Sequence, residues 1–246
     1  IPKPPYIPDL QSMLEPIWVH QPEVLTFHFG LPPQQVIEKA HSLGISVGVT
    51  ATSLEEALMI QSADVDFIVA QGIEAGGHRG IFDPRGVDQQ LTIRDLVQEL
   101  AQHLQIPIVA AGGLMDGRDV RDIIQSGASA AQMGTAFLVT AEAGSSPAHR
   151  RFVLTKHELG AAFTRAFSGR PAQGVKNKYM SLMEGKTYLP FPLQNNMTAA
   201  MRQWAAQHDE GDYQNLWAGT EYARARAMSV SDLMTTLSNE YQSAGK

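Results

Sequence analysis

The chain has 246 residues, of which 43% are hydrophobic and 18% are charged, and its net charge is −6. This apolar fraction can form a sizeable core, and the acidic balance gives no electrostatic reason to expect a nucleic-acid partner. The sequence contains no cysteine, which excludes disulfides, thiolate catalysis and cysteine-ligated metal sites. No apolar run approaches the roughly 20 residues that span a bilayer, so we expect a cytoplasmic protein without a membrane partner.

Five short apolar runs, most of them rich in β-branched or aromatic residues, predict buried strands at 24–29, 46–50, 66–71, 107–111 and 130–133. Helical patterns separate these strands at 33–43, 53–62, 91–104 and 119–125. Strands that alternate with helices predict βαβ units and a parallel sheet. Further helical patterns at 147–167, 197–207 and 230–241 predict the closing helix of a barrel and a small helical lid.

Small or polar residues follow every predicted strand, beginning with Gly30 after the first and ending with Gly134 after the last. In a (β/α)8 barrel the chemistry lies at this carboxyl-terminal face, whereas an open doubly wound sheet binds ligands at a switch point. The recurrence of small or polar residues after every predicted strand favours the barrel. We therefore predict one α/β domain of (β/α)8 type over residues 1–246, with a lid or insert at 170–225 packed on the barrel.

Two glycine-containing turns follow successive predicted strands, Gly112-Gly113 after the fourth and Gly134-Thr135 after the fifth. Adjacent turns of this kind can direct several backbone N–H groups at one phosphate, with added attraction from the dipoles of the helices that follow. Either pair alone is better explained by tight turn geometry. The two pairs together favour a phosphate site, although they do not identify the ligand.

A single histidine, His78, stands among glycines just beyond the third predicted strand, in the stretch 67–80. Glycine permits close approach to a ligand, and histidine titrates nearest neutral pH, so His78 is the candidate acid–base group. His28 is a weaker candidate on the first strand. Gln71, at a strand end, could bind a heterocycle or satisfy backbone groups. No pair of histidines has the spacing of a zinc site on a helix, so we expect no metal.

Three stretches, QGIEAGGHRG at 71–80, IPIVAAGGLMDGRDV at 106–120 and ASAAQMGTAFL at 128–138, resemble the nitronate monooxygenases. The runs FHFGLP at 27–32 and YQNLWAG at 213–219 resemble the class I branch of that family. The resemblance implies an FMN-dependent (β/α)8 enzyme. It also implies that alkyl nitronates, such as propionate 3-nitronate, are oxidised by O2.

The resemblance also implies roles for residues at matching positions. Gln71 would contact the isoalloxazine ring of FMN, and Gly76 and Gly77 would lie beside it. His78 matches the catalytic histidine of the family. The ribityl and phosphate groups would be held by residues of the two glycine turns: Gly112, Gly113, Gln132, Met133, Gly134 and Thr135.

The chain departs from the family pattern because only five barrel strands are recognisable where eight are required. At about 30 residues for each unit, we expect roughly 90–100 further residues upstream, from a longer chain or from a second polypeptide. The family's upstream FMN contacts have no counterpart here. A homodimer is also possible.

Two roles for His78 stay open at this point. It could remove the α-proton of a neutral nitroalkane, or, when protonated, stabilise negative charge on the substrate or flavin. The nearest alternative function is an FMN-dependent enoyl-[acyl-carrier-protein] reductase, which shares EAGGH and the AGG turn. The acidic balance and the LWAG segment disfavour it. Two further hypotheses are a non-catalytic flavin- or phosphate-binding barrel and an inactive fragment.

Overall fold

The computed structural model describes residues 4, 6 and 9–244. In chain order its strands are β1 (Val24–Phe27), β2 (Ser46–Ala51), β3 (Phe67–Gln71), β4 (Gly77–His78), β5 (Ile108–Ala111), β6 (Ala130–Gln132), β7 (Ala161–Thr164) and β8 (Ala172–Val175). Its helices are α1 (Leu10–His20), α2 (Gln34–Ser42), α3 (Leu54–Gln61), α4 (Ile93–His103), α5 (Gly117–Gln125), α6 (Pro147–Thr155), α7 (Lys178–Leu182), α8 (Leu193–Gln207) and α9 (Val230–Ser243).

All five strands expected from the apolar runs are present, and they form one parallel sheet in the order β1-β2-β3-β5-β6. This confirms the predicted α/β class. The register sets Gln71 beside Ala111 and Ala111 beside Gln132, so three neighbouring strands end at one level. The turns that follow them are therefore brought together. The expectation of further barrel strands remains a prediction.

The hydrophobic core lies between this sheet and helices α2 to α5. Buried aliphatic side chains of β2, β3 and β5 pack against the apolar faces of these helices, as Val49, Ile68 and Leu96 illustrate. Side-chain caps help to set the helix starts, because Ser53 accepts a hydrogen bond from the Glu56 amide and Thr92 accepts one from the Asp95 amide. The packed core thus supports the edge of the sheet that carries the turns.

A second, antiparallel sheet in the order β4-β8-β7 was not expected from the sequence. The helix predicted at 147–167 ends at Thr155, and β7 follows a turn at Gly160, whose φ of 68° suits glycine. Its partner β8 lies within 170–225, the range predicted to form a lid or insert. The assignment of 170–225 as a lid remains a prediction. Within residues 9–244, no helix has the length and apolar character required to cross a membrane.

Candidate functional site

A cavity of about 140 Å³ lies at the carboxyl ends of β3, β5 and β6. Eight of the nine residues predicted to bind a cofactor line it: Gln71, Gly76, Gly112, Gly113, Gln132, Met133, Gly134 and Thr135. Gly77 and the predicted catalytic residue His78 do not line it. Ala75, Gly219 and Glu221, which sequence reasoning did not select, are also part of the wall.

Bare backbone forms much of the cavity wall. Gly112 and Gly113 have φ values of 127° and 68°, a region that other residues adopt only with strain. A Cβ atom at Gly76 would lie 2.5 Å from the carbonyl carbon of Ala218, whereas one at Gly134 would meet no protein atom within 4 Å. The backbone around Gly134 is therefore open to a ligand.

The amino terminus of the helix that follows Gly112-Gly113 has fewer free backbone amides for an anion than its sequence suggested. Asp116 caps α5 by accepting hydrogen bonds from the amides of Arg118 and Asp119, while the Asp119 side chain accepts from the Asp116 amide. The amide of Gly117 donates to Glu240. Because these amides are already satisfied by carboxylates, the dipole of α5 is not available to a phosphate. The turn backbones themselves remain the candidate anion donors.

The amide of Gln71 fixes the backbone that leads to His78. Its Nε2 donates to the His78 carbonyl at 3.0 Å, and its Oε1 accepts from the Gly80 amide at 2.7 Å. His28 supports the same carbonyl, because its Nε2 donates to it at 3.1 Å while its Nδ1 accepts from the hydroxyl of Thr50. Both ring nitrogens of His28 are therefore engaged, which makes it a supporting residue.

The side chain of His78, which belongs to strand β4, lies in a cluster of aromatic rings and does not form part of the cavity wall. Its ring centroid is 5.6 Å from that of Trp217 and 5.7 Å from that of Phe29. Phe191 completes the cluster. Trp217 packs against His78, whereas Tyr179 packs on Phe167 and the hydroxyl of Tyr188 donates to the Met183 carbonyl.

Ser168 determines which ring nitrogen of His78 carries the proton. The Ser168 hydroxyl donates to the Arg170 carbonyl, so it accepts from Nε2 of His78, which is 2.8 Å away. The proton therefore sits on Nε2, and Nδ1 is left as the basic nitrogen. Burial, reinforced by repulsion between the protonated rings of His78 and His28 and by the charges of Arg170 and Arg202, lowers the pKa of His78 to about 4. The imidazole is neutral at neutral pH.

Arg79, the neighbour of His78, is buried and structural. Its Nε and Nη2 atoms donate to the two carboxylate oxygens of Asp88 at 2.8 and 2.9 Å, and its Nη1 donates to the Gln71 carbonyl. Ser168 and Arg170, by contrast, were missed in the sequence. They lie in the connection between β7 and β8, where Ser168 is 90 residues from His78, and no local pattern links them to it.

The folded chain is expected to lose stability as the pH falls from 6.5 towards 4. Burial lowers the pKa values of His28, His78 and His149 below the ordinary value of 6.5, so the unfolded chain binds more protons in this window. His78→Asn should reduce the slope of unfolding free energy against pH by up to about 1.4 kcal/mol per unit. Urea unfolding at pH 7, 6 and 5 measures it, with His20→Asn, an exposed site, as the control. An unchanged slope in His78→Asn would contradict the burial argument.

A family profile described as nitronate monooxygenase matches residues 9–240. The chain is 38% identical over 232 residues to a nitronate monooxygenase of Pseudomonas aeruginosa and 35% identical over 236 residues to a probable nitronate monooxygenase of Bacillus subtilis. These alignments cover 93% and 94% of the chain, but 66% and 68% of the relatives. The chain thus spans about two thirds of the length of the relatives it matches.

Solved structures agree with this assignment. A nitroalkane oxidase from Streptomyces ansochromogenes superposes with a TM-score of 0.91 at 33% identity, over 96% of the chain and 68% of that protein. FabK from Thermotoga maritima superposes with a TM-score of 0.79 at 23% identity, over 96% of the chain and 73% of FabK, which shows a shared fold alone. With the matched residues running from the first helix to the last, the chain belongs to the nitronate monooxygenase family.

Proposed function

We propose that this chain forms the FMN-binding and catalytic part of an enzyme that oxidises alkyl nitronates, such as propionate 3-nitronate, with O2. The observation that carries the proposal is the cavity to whose wall five glycines contribute, at the carboxyl ends of three adjacent strands. In α/β folds this edge of the sheet is where ligands bind.

The residues present fit one end of a mononucleotide. At about 140 Å³ the cavity is smaller than the ~300–1,000 Å³ of a whole ligand site, so it can enclose only part of the cofactor. Gly112, Gly113 and the run from Gln132 to Thr135 would hold the phosphate and ribityl groups. Gln71 and Gly76 would lie beside the ring system. FMN would supply the electron-transfer chemistry when bound.

The protonation state of His78 favours a substrate that is already ionised. A nitronate is an anion and needs no proton removed, so its oxidation does not require His78 to act as a base. With a pKa of about 4, His78 is a weak base at neutral pH, far from the value that favours proton abstraction. We therefore propose that nitronates are used in preference to neutral nitroalkanes.

The visible spectrum of the purified protein, before and after incubation with FMN, tests cofactor binding. Anaerobic addition of propionate 3-nitronate should then bleach the flavin absorbance near its maximum. A protein that takes up no FMN would contradict the proposal. Bleaching by NADH without bleaching by the nitronate would replace it with the enoyl reductase hypothesis.

The Gly134→Ala substitution is expected to weaken FMN binding about tenfold or more while leaving the unfolding free energy nearly unchanged. The new methyl group meets no protein atom, so its effect falls on whatever occupies the cavity. Fluorescence titration with FMN measures the affinity. Gly144→Ala is the matched control, because its Cβ also meets no protein atom and Gly144 lies outside the cavity wall. Equal FMN affinity in both variants would remove Gly134 from the cofactor site.

A further inference from the structure

One side of the glycine-lined cavity is formed by a segment from far along the chain. Residues 218–226, which we call the strap, contribute Gly219 and Glu221 to the cavity wall. The Gly219 amide donates to the hydroxyl of Thr135 at 2.9 Å, in the second glycine turn. A Cβ atom at Gly113, in the first turn, would lie 3.9 Å from Cγ of Glu221. The strap therefore runs along the cavity from one glycine turn to the other.

The strap and the first glycine turn belong to different hydrophobic clusters. Ala218 and Tyr222 of the strap pack in a cluster that includes Val175 of β8. Leu114, next to the first turn, packs in the main core against the parallel sheet. The cavity lies where these two clusters meet. Contacts that join the strap to the first turn therefore set the width of the cavity.

Arg224 makes the charged contact between the two sides. Its Nη2 atom donates to the carboxylates of Asp116 and Asp119, at 2.9 and 2.8 Å, which form the amino-terminal cap of α5. The same Asp119 oxygen accepts a hydrogen bond of 2.7 Å from the amide of Met115, a residue of the cavity wall. The Met115 carbonyl accepts from Arg226 of the strap at 3.1 Å. Both backbone polar groups of Met115 are thus connected to the strap.

Arg224 also compensates the charge of the strap itself. Its Nη1 atom lies 3.6 Å from the carboxylate of Glu221, so it contacts three carboxylates in all. Without the guanidinium, Glu221 would face Asp116 and Asp119 with like charge, and repulsion would push the strap away from α5. The Arg224 side chain is 38% exposed, so dissolved salt screens these ion pairs.

We propose that Arg224 is a positioning residue that holds the strap against the first glycine turn and thereby slows the dissociation of FMN; this rests on the function proposed above. Arg224 does not line the cavity, and it acts through Glu221 and Met115, which do. When its ion pairs break, the strap separates from α5 and the cavity widens between the two clusters.

The change in FMN fluorescence after dilution of the FMN-loaded protein measures the dissociation rate. Arg224→Met should increase this rate about tenfold. For the parent, the rate should rise as KCl is raised from about 0.05 to about 1 M, because the Debye length shortens from more than 10 Å to about 3 Å. The rate for Arg224→Met should depend less on salt, whereas a general loss of stability would leave the salt dependence unchanged. Arg94→Met, which removes a 3.8 Å ion pair outside the wall of this cavity, should match the parent in both respects.

Hydrogen exchange measured by NMR without FMN provides a second readout. The amides of Gly219 and Thr220 donate to the Thr135 hydroxyl and the Glu74 carbonyl, and they should exchange faster in Arg224→Met. If the parent binds FMN but the variant keeps the parent's dissociation rate and salt dependence, the role of Arg224 is overturned while the proposed function stands. If the parent binds no FMN, the proposed function fails; faster exchange in the variant would still support the strap contact, and unchanged exchange would overturn it too. If Arg224→Met does not fold, Arg224→Lys supplies both readouts, because lysine lacks the fork that reaches several carboxylates; parental values for Arg224→Lys would then overturn the proposal.

Discussion

Arg79→Met is expected to destabilise the fold by about 3 kcal/mol or more, because it removes the cation paired with Asp88 and the guanidinium donor to the Gln71 carbonyl. The guanidinium is 1% exposed and makes three hydrogen bonds, so little of this loss can be recovered from water. Asp88 keeps some access to solvent, which places the cost at the lower end of the usual range for a broken buried pair. Urea unfolding of the variant and parent measures the difference.

Arg94→Met is the matched control for this prediction. Arg94 also pairs with an aspartate, Asp122, but at 3.8 Å and with both side chains 56% exposed. Its loss should cost less than about 1 kcal/mol. The double variant Arg79→Met/Asp88→Leu should recover part of the stability, since it removes both charges. Similar costs for Arg79→Met and Arg94→Met would show that burial does not give the Arg79 pair its importance.

Gly76→Ala is expected to reduce both stability and cofactor affinity, the first by about 1–3 kcal/mol and the second by about tenfold or more. The new Cβ would lie 2.5 Å from backbone atoms of Ala218 and Gly219, which cannot rotate away. That segment is held in place, because the Gly219 amide donates to Thr135 and the Thr220 amide donates to the Glu74 carbonyl. The two loops must therefore separate, and the cavity between them opens.

Comparison with Gly134→Ala distinguishes this effect from direct obstruction of the cofactor. Both glycines line the cavity, but only Gly76 lies against backbone. Gly76→Ala should lower the urea midpoint and the FMN affinity together, whereas Gly134→Ala should lower the affinity alone. If Gly76→Ala unfolds at the same urea concentration as the parent, the close approach of the two loops does not limit the size of the side chain at position 76.

The parallel sheet and the glycine turns could be predicted from the sequence because their signals are local. Runs such as 67–71 are short, apolar and β-branched, and each is followed by a turn residue. Parallel pairing places the carboxyl ends of all these strands at one edge of the sheet. The proximity of Gly112 and Gly134 therefore follows from the strand assignment alone. The cavity was predictable for the same reason.

The environment of His78 could not be predicted, because it depends on distant partners. Strand β4 has two residues and exists only through pairing with β8, in which Gly77 lies beside Gln173 and His78 beside Ala172. The sequence favoured a continuous helix through 147–167 over β7 since no local signal identified the partner strand. From the sequence alone, Arg79 would be a solvated loop residue, because its ion pair with Asp88 is apparent only in the structure.

The pairing of β4 with β8 has a consequence for the order in which this protein becomes functional during synthesis. The chain emerges from the ribosome amino terminus first, and neighbouring βα units can associate as they appear. Ser168 follows His78 by 90 residues, and Gly219 follows Thr135 by 84. The sheet can therefore form early, whereas the capacity to hold a ligand arises only after the segment from Ser168 to Gly219 has been made.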